Sequence, residues 1–329
     1  MSLGFSVSCV SRDLPLLRGC LESIKHFAPD APICLVTDGD FPLGAIKGEY
    51  DLIVLRRKDV KNKDLRELSY GYGFTKMVAL WESPFKTVIH MDTDVVLWGD
   101  IRSNLPAENW DFVFNEPHQI ITPEIQCSQY FDPEKIFNFI QPFPWQGNAY
   151  FNTGVFACRV GQLDLDEYIK MLRLHRKHPG VFPLVDQTML NILVFRALRG
   201  GRINAIQTHL QTPVPVTSES ELRRRFCFSS GLPQNTAPAT SIHWAGTKPY
   251  ACNPKLFSEP MEYFRLRSMR RCGLPRWVPK RAAFRADEFL SIGLPPHFDR
   301  LRKGYRDLKS FVKRKVLRLL NWRSPNCRS

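Results

Sequence analysis

Apolar residues recur along the chain first at strand spacing, then at helix spacing, then at strand spacing again. Residues 4–10, Gly4-Phe5-Ser6-Val7-Ser8-Cys9-Val10, read as a strand, and Leu17, Cys20, Leu21 and Ile24 recur at a helical period across residues 14–27. Residues 33–38 predict a second strand and residues 50–55 a third. Strand, helix and strand joined by short links imply a right-handed βαβ start and a doubly wound, parallel α/β sheet. Ligands bind at the carboxyl ends of such strands, which puts residues 8–13 and 37–40 at the mouth of a site. Neither segment carries a Gly-x-Gly-x-x-Gly or a Gly-Lys-Ser/Thr turn, an argument against a dehydrogenase or a P-loop ATPase.

Residues 87–98, Thr87-Val88-Ile89-His90-Met91-Asp92-Thr93-Asp94-Val95-Val96-Leu97-Trp98, read as one buried strand with two carboxylates in an otherwise apolar run. Burying an ionised carboxylate is costly unless it is paired or holds a cation. Side chains at i and i+2 of a strand share a face, so Asp92 and Asp94 can grip one ion together. Oxygen ligands of this kind suit Mg²⁺ or Mn²⁺ accompanied by substrate phosphates. The plainer alternative is a strand end where Asp92 caps the next element and Asp94 faces water.

Other stretches of the chain bear on that choice. Gly71-Tyr72-Gly73-Phe74-Thr75-Lys76 leads into a helix-like run, and a Lys in a first turn opposes the helix dipole; Lys76 either meets an anionic or polar ligand or reaches solvent. Residues 111–116 predict another strand, followed by a loop-rich, aromatic and proline-containing stretch at 117–150 that is either a binding wall or packing over the sheet edge. Residues 150–158 read as a strand with a polar break, where Asn152 and Gly154 fit a ligand contact with close backbone approach or a plain β-bulge. Residues 165–178 and 186–198 predict helices, with Asp186 at a capping position. Residues 241–250 then bring His243 and Lys248 onto a short strand and loop; the imidazole is either structural or a third ligand beside the two carboxylates.

Charge divides the chain. Residues 1–260 hold 27 basic and 27 acidic residues and residues 261–329 hold 19 against 5, so the second stretch carries the whole net charge of +14. A boundary near 260 follows, between a neutral catalytic body at 1–260 and a basic, helix-rich extension at 261–329. From Asp299 onward, Leu301, Tyr305, Leu308, Val312, Val316 and Leu319 recur at spacings of three and four among Arg and Lys. That pattern fits an amphipathic helix lying on an anionic membrane surface, or one packed on the body; no recognised module points to nucleic acid. The nine scattered cysteines without a Cys-x-x-Cys pair read as free thiols in a reducing compartment. No run reaches the length needed to span a bilayer and the start lacks a secretory pattern, so the expectation is a cytoplasmic protein, peripheral on the inner face of the membrane.

Four ordered patterns resemble the GT-A-fold glycosyltransferases, most closely family 8, the retaining group of glycogenin and bacterial lipooligosaccharide galactosyltransferases. They are Phe74-Thr75-Lys76; Met91-Asp92-Thr93-Asp94; Phe151-Asn152-Thr153-Gly154 followed by Asp186-Gln187; and His243-Trp244-Ala245-Gly246 with Lys248-Pro249-Tyr250. The resemblance spans about residues 3–257 and implies a GT-A, Rossmann-like nucleotide-sugar-binding fold. It implies Asp92, Asp94 and His243 as ligands of Mn²⁺, with Mg²⁺ the other candidate. It implies Lys248 on the diphosphate of a UDP-hexose, and Lys76, Thr93, Asn152, Gly154 and Gly246 around the donor. Asp186 and Gln187 would stabilise the sugar cation, and the acceptor would be a glycan or glycolipid. The chain departs from the family pattern in having only Thr247 between Gly246 and Lys248, and in lacking an Asp-rich segment after the first strand.

The resemblance also implies retention of anomeric configuration; an inverting enzyme would need a carboxylate base, for which Glu116 is the candidate by position. A catalytically silent nucleotide-sugar or glycan-binding protein on the same fold is the reading from another class. The complete Asp92, Asp94 and His243 set argues against it. A nucleotidyltransferase would need a Gly-rich, Arg-containing loop that the N-terminal segment lacks.

Overall fold

A computed structural model describes residues 3–292 except Tyr72, His118, Gln119, Pro215, Asn235, Ala237 and residues 251–256. Strands β1 (Leu3–Val10), β2 (Ile33–Asp38) and β3 (Ile53–Arg56) pair in parallel, as the alternating pattern predicts. With β4 (Thr87–Asp92), β6 (Phe112–Asn115), β7 (Val155–Arg159) and β8 (Ala205–Thr208) they build a seven-stranded sheet in the order β3-β2-β1-β4-β7-β6-β8. Among its described strands only β7 runs against the others, pairing antiparallel with both β4 and β6. A second sheet places β12 (Thr240–His243) between β5 (Val95–Trp98) and β9 (Gln211–Pro213). Strands β10 (Phe228–Ser229) and β11 (Leu232–Pro233) form a short hairpin.

Residues 87–98 are therefore not one strand. The chain leaves the large sheet at Asp92, turns through Thr93 and Asp94, and enters the small sheet at Val95. The reason is the cost that made the stretch conspicuous: two carboxylates placed at a corner between sheets reach polar partners that the middle of a ladder would deny them. The predicted strand at 150–158 is likewise shorter. Residues 150–154 lead irregularly into β7, with Asn191 bonding both the backbone N–H (3.1 Å) and the carbonyl (3.0 Å) of Phe151.

Alternating strand residues sort into two apolar layers. Phe5, Val7, Ile89 and Met91 face helix Leu14–Phe27, while Val88, Phe112 and Phe156 face helices Leu165–Lys177 and Val185–Arg199. The region 117–150 folds as two short helices, Pro123–Gln129 and Pro133–Ile136, with Phe131, Phe143, Trp145 and Tyr150 packed together over the second layer. The packing alternative holds for these aromatics, while Ile120 remains exposed beside them. Helix Val185–Arg199 starts one residue earlier than expected; Leu184 occupies the N-cap, so Asp186 is not the cap and its carboxylate is used elsewhere.

The charge shift near residue 260 coincides with helix Glu259–Arg271, which packs against helix Leu14–Phe27 and is followed by helix Lys280–Ile292. Arg267 and Arg271 pair with Glu22 of the body and Arg265 with Glu288 of the second C-terminal helix, and the amphipathic segment expected from Asp299 onward lies outside the described residues. Among the described residues no helix is long and apolar enough to cross a membrane. The seven described cysteines are all unpaired thiols.

Candidate active site

The carboxyl ends of β1, β2 and β4 open on one side of the molecule, and the register brings the N-terminal end of β7 to the same edge. At the end of β2, the Asp38 carboxylate accepts from the Gly71 backbone N–H (2.7 Å) and from Thr75 Oγ1 (2.9 Å). This ties down the turn Phe74–Val78, whose first residue follows Gly73 in a left-handed conformation (φ 86°). Lys76 is thereby aimed inward. It is 6% exposed, and its Nζ lies 2.9 Å from Asp92 Oδ2 and 2.8 Å from Asp186 Oδ2. Lys76 therefore does not reach solvent; it bridges two carboxylates inside the site. Burial alone would depress its pKa, but Asp186 and Asp92 outweigh that and hold the ammonium well above its usual range.

Asp92 sits at the sheet corner, its backbone N–H donating to the Gly154 carbonyl at 2.9 Å. Burial opposes its ionised form, yet Lys76 and His90 together keep the carboxyl far below the ordinary range. His90, fully buried and stacked on Phe156, contributes a ring nitrogen 3.2 Å from Asp92 Oδ1. Burial lowers its pKa, so the ring is neutral and Nε2–H is the donor to the carboxylate.

Antiparallel pairing of β12 with β5 sets His243 opposite Val95, next to Asp94, and the Trp244 N–H closes the corner onto the Asp94 carbonyl at 3.1 Å. Asp92, Asp94 and His243 each present one ligand atom within 4.8 Å of the other two. His243 Nε2 stands 3.8 Å from Asp94 Oδ2, and Lys248 Nζ is paired with the same oxygen. Gly154 lies against the imidazole: a Cβ there would fall 2.2 Å from His243 Cε1, which supplies a reason for glycine other than a bulge. Gly246 is required by its left-handed backbone (φ 92°), with open space where a side chain would be. Thr93 is buried in the turn between the two aspartates.

On the other side of Lys76, Asp186 also accepts from Thr153 Oγ1 at 3.3 Å. Gln187 accepts from Asn152 Nδ2 at 3.1 Å and donates to the Gln129 carbonyl at 3.0 Å, joining the start of helix Val185–Arg199 to the 117–150 region. Glu116 is exposed beyond the end of β6. Of the residues in this cluster, sequence reading passed over His90, Thr153, Gln129 and Gln211. His90 was legible in principle, two residues before Asp92 on the same strand face; Gln211 comes from β9, which only sheet pairing brings beside β12.

Solved structures share this architecture. The galactosyltransferase LgtC, crystallised with donor and acceptor sugar analogues, superposes with a TM-score of 0.52 over 83% of this chain and 98% of that one, at 13% identity. An active-site mutant of LgtC gives a TM-score of 0.50 at 12% identity, over 84% of this chain and 97% of that one. The bifunctional glycosyltransferase WbbM gives 0.51 at 12% identity, over 82% of this chain and 51% of that one. The chain has the GT-A fold. No family model and no curated protein matches the sequence.

Within the GT-A frame the acidic corner fits a divalent cation. Its donors are two carboxylates and an imidazole, the set hard or borderline divalent metals accept. Burial lowers the His243 pKa, against the pull of Asp94 and Asp92, so the ring is neutral as a ligand must be. Three carboxylates, Asp92, Asp94 and Asp186, stand against two ammonium groups, Lys76 and Lys248. The cluster is left with a negative surplus, in a mouth open to solvent through Lys248.

Proposed function

We propose that the chain is a metal-dependent glycosyltransferase that moves a hexose from a UDP-sugar to a glycan or lipid-linked acceptor with retention of anomeric configuration. The observation that carries the reading is the convergence of Asp92 and Asp94, at the corner after β4, with His243 from β12. The GT-A fold, shared with galactosyltransferase LgtC, agrees with it.

In this reading Asp92, Asp94 and His243 hold Mn²⁺, or Mg²⁺ in its place. The bound ion would supply Lewis-acid stabilisation of the charge that develops on the departing diphosphate. Lys248 serves the same charge; it leaves Asp94 and turns to the diphosphate, a short move for a side chain at the rim. Thr93, Gly154 and Gly246 shape the donor cradle: Thr93 forms the turn between the two aspartates, Gly154 leaves room for the His243 ring, and Gly246 keeps backbone rather than a side chain next to the ligand. Asn152 addresses the sugar. Lys76 holds Asp186 and Asp92 at a fixed separation, so that Asp186 and Gln187 present oxygen to the sugar as it becomes cationic. The bond from the anomeric carbon to the diphosphate oxygen breaks, the acceptor oxygen bonds to that carbon on the same face, and the departing phosphate oxygen takes the acceptor proton. No base from the protein is needed. The basic segment from Asp299 onward would bring this site to an anionic membrane surface and a lipid-linked acceptor.

Thermal denaturation of the full chain with UDP-galactose and UDP-glucose, each with and without Mn²⁺, tests the reading. A ligand that binds only the folded state stabilises it in proportion to RT ln(1 + [L]/Kd). The expected result is a rise in Tm that needs both nucleotide sugar and metal. No shift with any nucleotide sugar overturns the reading, and NMR of the first-formed anomer decides retention against inversion.

A further inference from the structure

Behind the imidazole of His243 runs a chain of three side-chain amides. His243 Nδ1 lies 2.7 Å from Gln211 Oε1, Gln211 Nε2 lies 3.3 Å from Asn152 Oδ1, and Asn152 Nδ2 lies 3.1 Å from Gln187 Oε1. The chain ends where Gln187 Nε2 donates to the Gln129 carbonyl at 3.0 Å. Backbone groups fix its direction. The Gly154 N–H, which can only donate, sits 2.8 Å from Asn152 Oδ1, so that atom must be the oxygen. The Gln129 carbonyl can only accept, so Gln187 must present its nitrogen there. Flipping any one amide would set donor against donor or acceptor against acceptor, which leaves Gln211 with its oxygen toward His243. Gln211 itself is fully buried, and its backbone N–H donates to Asn115 Oδ1 at 2.7 Å.

We propose that Gln211 is a positioning residue that locks His243 in the Nδ1–H tautomer and so presents the Nε2 lone pair to a divalent cation beside Asp92 and Asp94. The inference rests on the metal reading above. A neutral imidazole carries one N–H; an amide oxygen at Nδ1 claims it, and Nε2 is the ring atom that faces Asp94. The hydrogen-bonded partners of metal-ligating histidines act in this way, fixing tautomer and ring plane. Here the partner is an amide rather than a carboxylate, so it orients the ring without adding to the negative charge of the cluster. The same chain continues to Gln187, giving the metal side and the sugar side of the site one shared framework.

The test uses the full chain, its Gln211→Leu variant, which removes acceptor and donor at similar size, and its Gln211→Glu variant, which keeps the acceptor. Nitrogen chemical shifts of the His243 ring report the tautomer in the metal-free protein, and a Mn²⁺ titration followed by EPR reports affinity. The expected outcome is a single Nδ1–H tautomer in the wild-type chain, lost in Gln211→Leu together with about 10- to 100-fold of Mn²⁺ affinity and restored to within about threefold in Gln211→Glu. An Nε2–H tautomer in the wild-type chain overturns the proposal whether or not the leucine variant folds. So does a folded Gln211→Leu chain with unchanged tautomer and affinity. A wild-type chain that shows the Nδ1–H tautomer yet takes up no Mn²⁺ overturns the metal reading while supporting the orientation of His243.

Discussion

Two buried clusters of charge, one where helix Leu14–Phe27 meets the C-terminal helices and one at the sheet corner, are built to different ends. At the C-terminal side, Glu22, 1% exposed, accepts from Tyr50, Arg267 and Arg271 at 2.8 to 3.2 Å. Arg265, fully buried, reaches Glu288 at 2.7 Å and Asp287 at 3.4 Å, and Arg18 holds Asp287 from the other side at 3.1 Å. Three carboxylates there meet four guanidinium groups, and the cluster closes on itself. At the sheet corner three carboxylates meet two ammonium groups and two neutral imidazoles. Burial of charge is common to both; what separates them is the sign of what is left over. The first cluster clasps the C-terminal helices to the body, and the second has a deficit that a cation fits.

The sharpest way to break the comparison is to neutralise one acid in each. Asp94→Asn removes one of the two anionic ligands and should lower sugar transfer by about 10³-fold, since loss of a single charge-stabilising element costs about 10² to 10³ and a metal ligand stands at the upper end. Its melting temperature should change little, because relieving a negative surplus does not orphan a buried cation; Lys248 is partly exposed and returns to water. Initial rates with a UDP-hexose and a calorimetric scan of the same preparation measure both halves.

How much of this contrast was legible beforehand follows from what sequence encodes. The βαβ start and the parallel pairing of β1 to β3 were readable from local periodicity, and Asp92 and Asp94 stood out as a residue type too costly to bury without cause; that His243 joins them came from the family resemblance. The corner between Asp92 and Val95 was not, since apolar residues flank Asp92-Thr93-Asp94 on both sides and nothing local distinguishes a polar break within one strand from a change of sheet; both flanks are apolar because β4 and β5 are both buried. Lys76 as an internal bridge was missed for a related reason: its partners, Asp92 and Asp186, are 16 and 110 positions away. The charge shift near 260 was visible, but composition cannot separate Arg267 and Arg271, spent on Glu22, from the Arg and Lys residues beyond Asp299.

Gly154→Ala probes the corner without altering charge. The added methyl would meet the His243 ring at 2.2 to 2.8 Å, and the backbone there is not in the left-handed region, so the whole effect falls on the imidazole. Displacing one ligand by a fraction of an ångström should weaken Mn²⁺ binding about 10- to 100-fold, comparable with loss of a supporting residue around a metal site. Metal titration reads it. The matching change in the closed cluster, Glu22→Gln, should leave Mn²⁺ affinity untouched and lower stability by about 3 kcal/mol, the lower end of what removing one partner of a buried pair costs. Denaturant unfolding at neutral pH measures that loss.

Acid should separate the clusters least but in a definite order. Burial pushes the His243 pKa below 6.5, so the folded protein keeps a neutral ring where the unfolded chain has begun to bind a proton, and stability declines as pH falls below that value. An unperturbed imidazole would be about three-quarters protonated at pH 6 and would cost roughly fourfold in metal affinity. With the pKa depressed by burial, the loss between pH 7.5 and pH 6 should be smaller than that fourfold, as metal titrations at the two pH values would read. Glu22 responds later. Burial raises its pKa, but the hydrogen bonds from Arg271 and Tyr50 outweigh that and hold it below the ordinary 4.5; its contribution is complete above 4.5 and disappears as pH falls through the lower, folded value. Unfolding free energies measured from pH 7 to pH 3 should therefore show two declines, the second reduced in Glu22→Gln and the first reduced in a His243→Gln chain that still folds, where buried His90 continues to contribute.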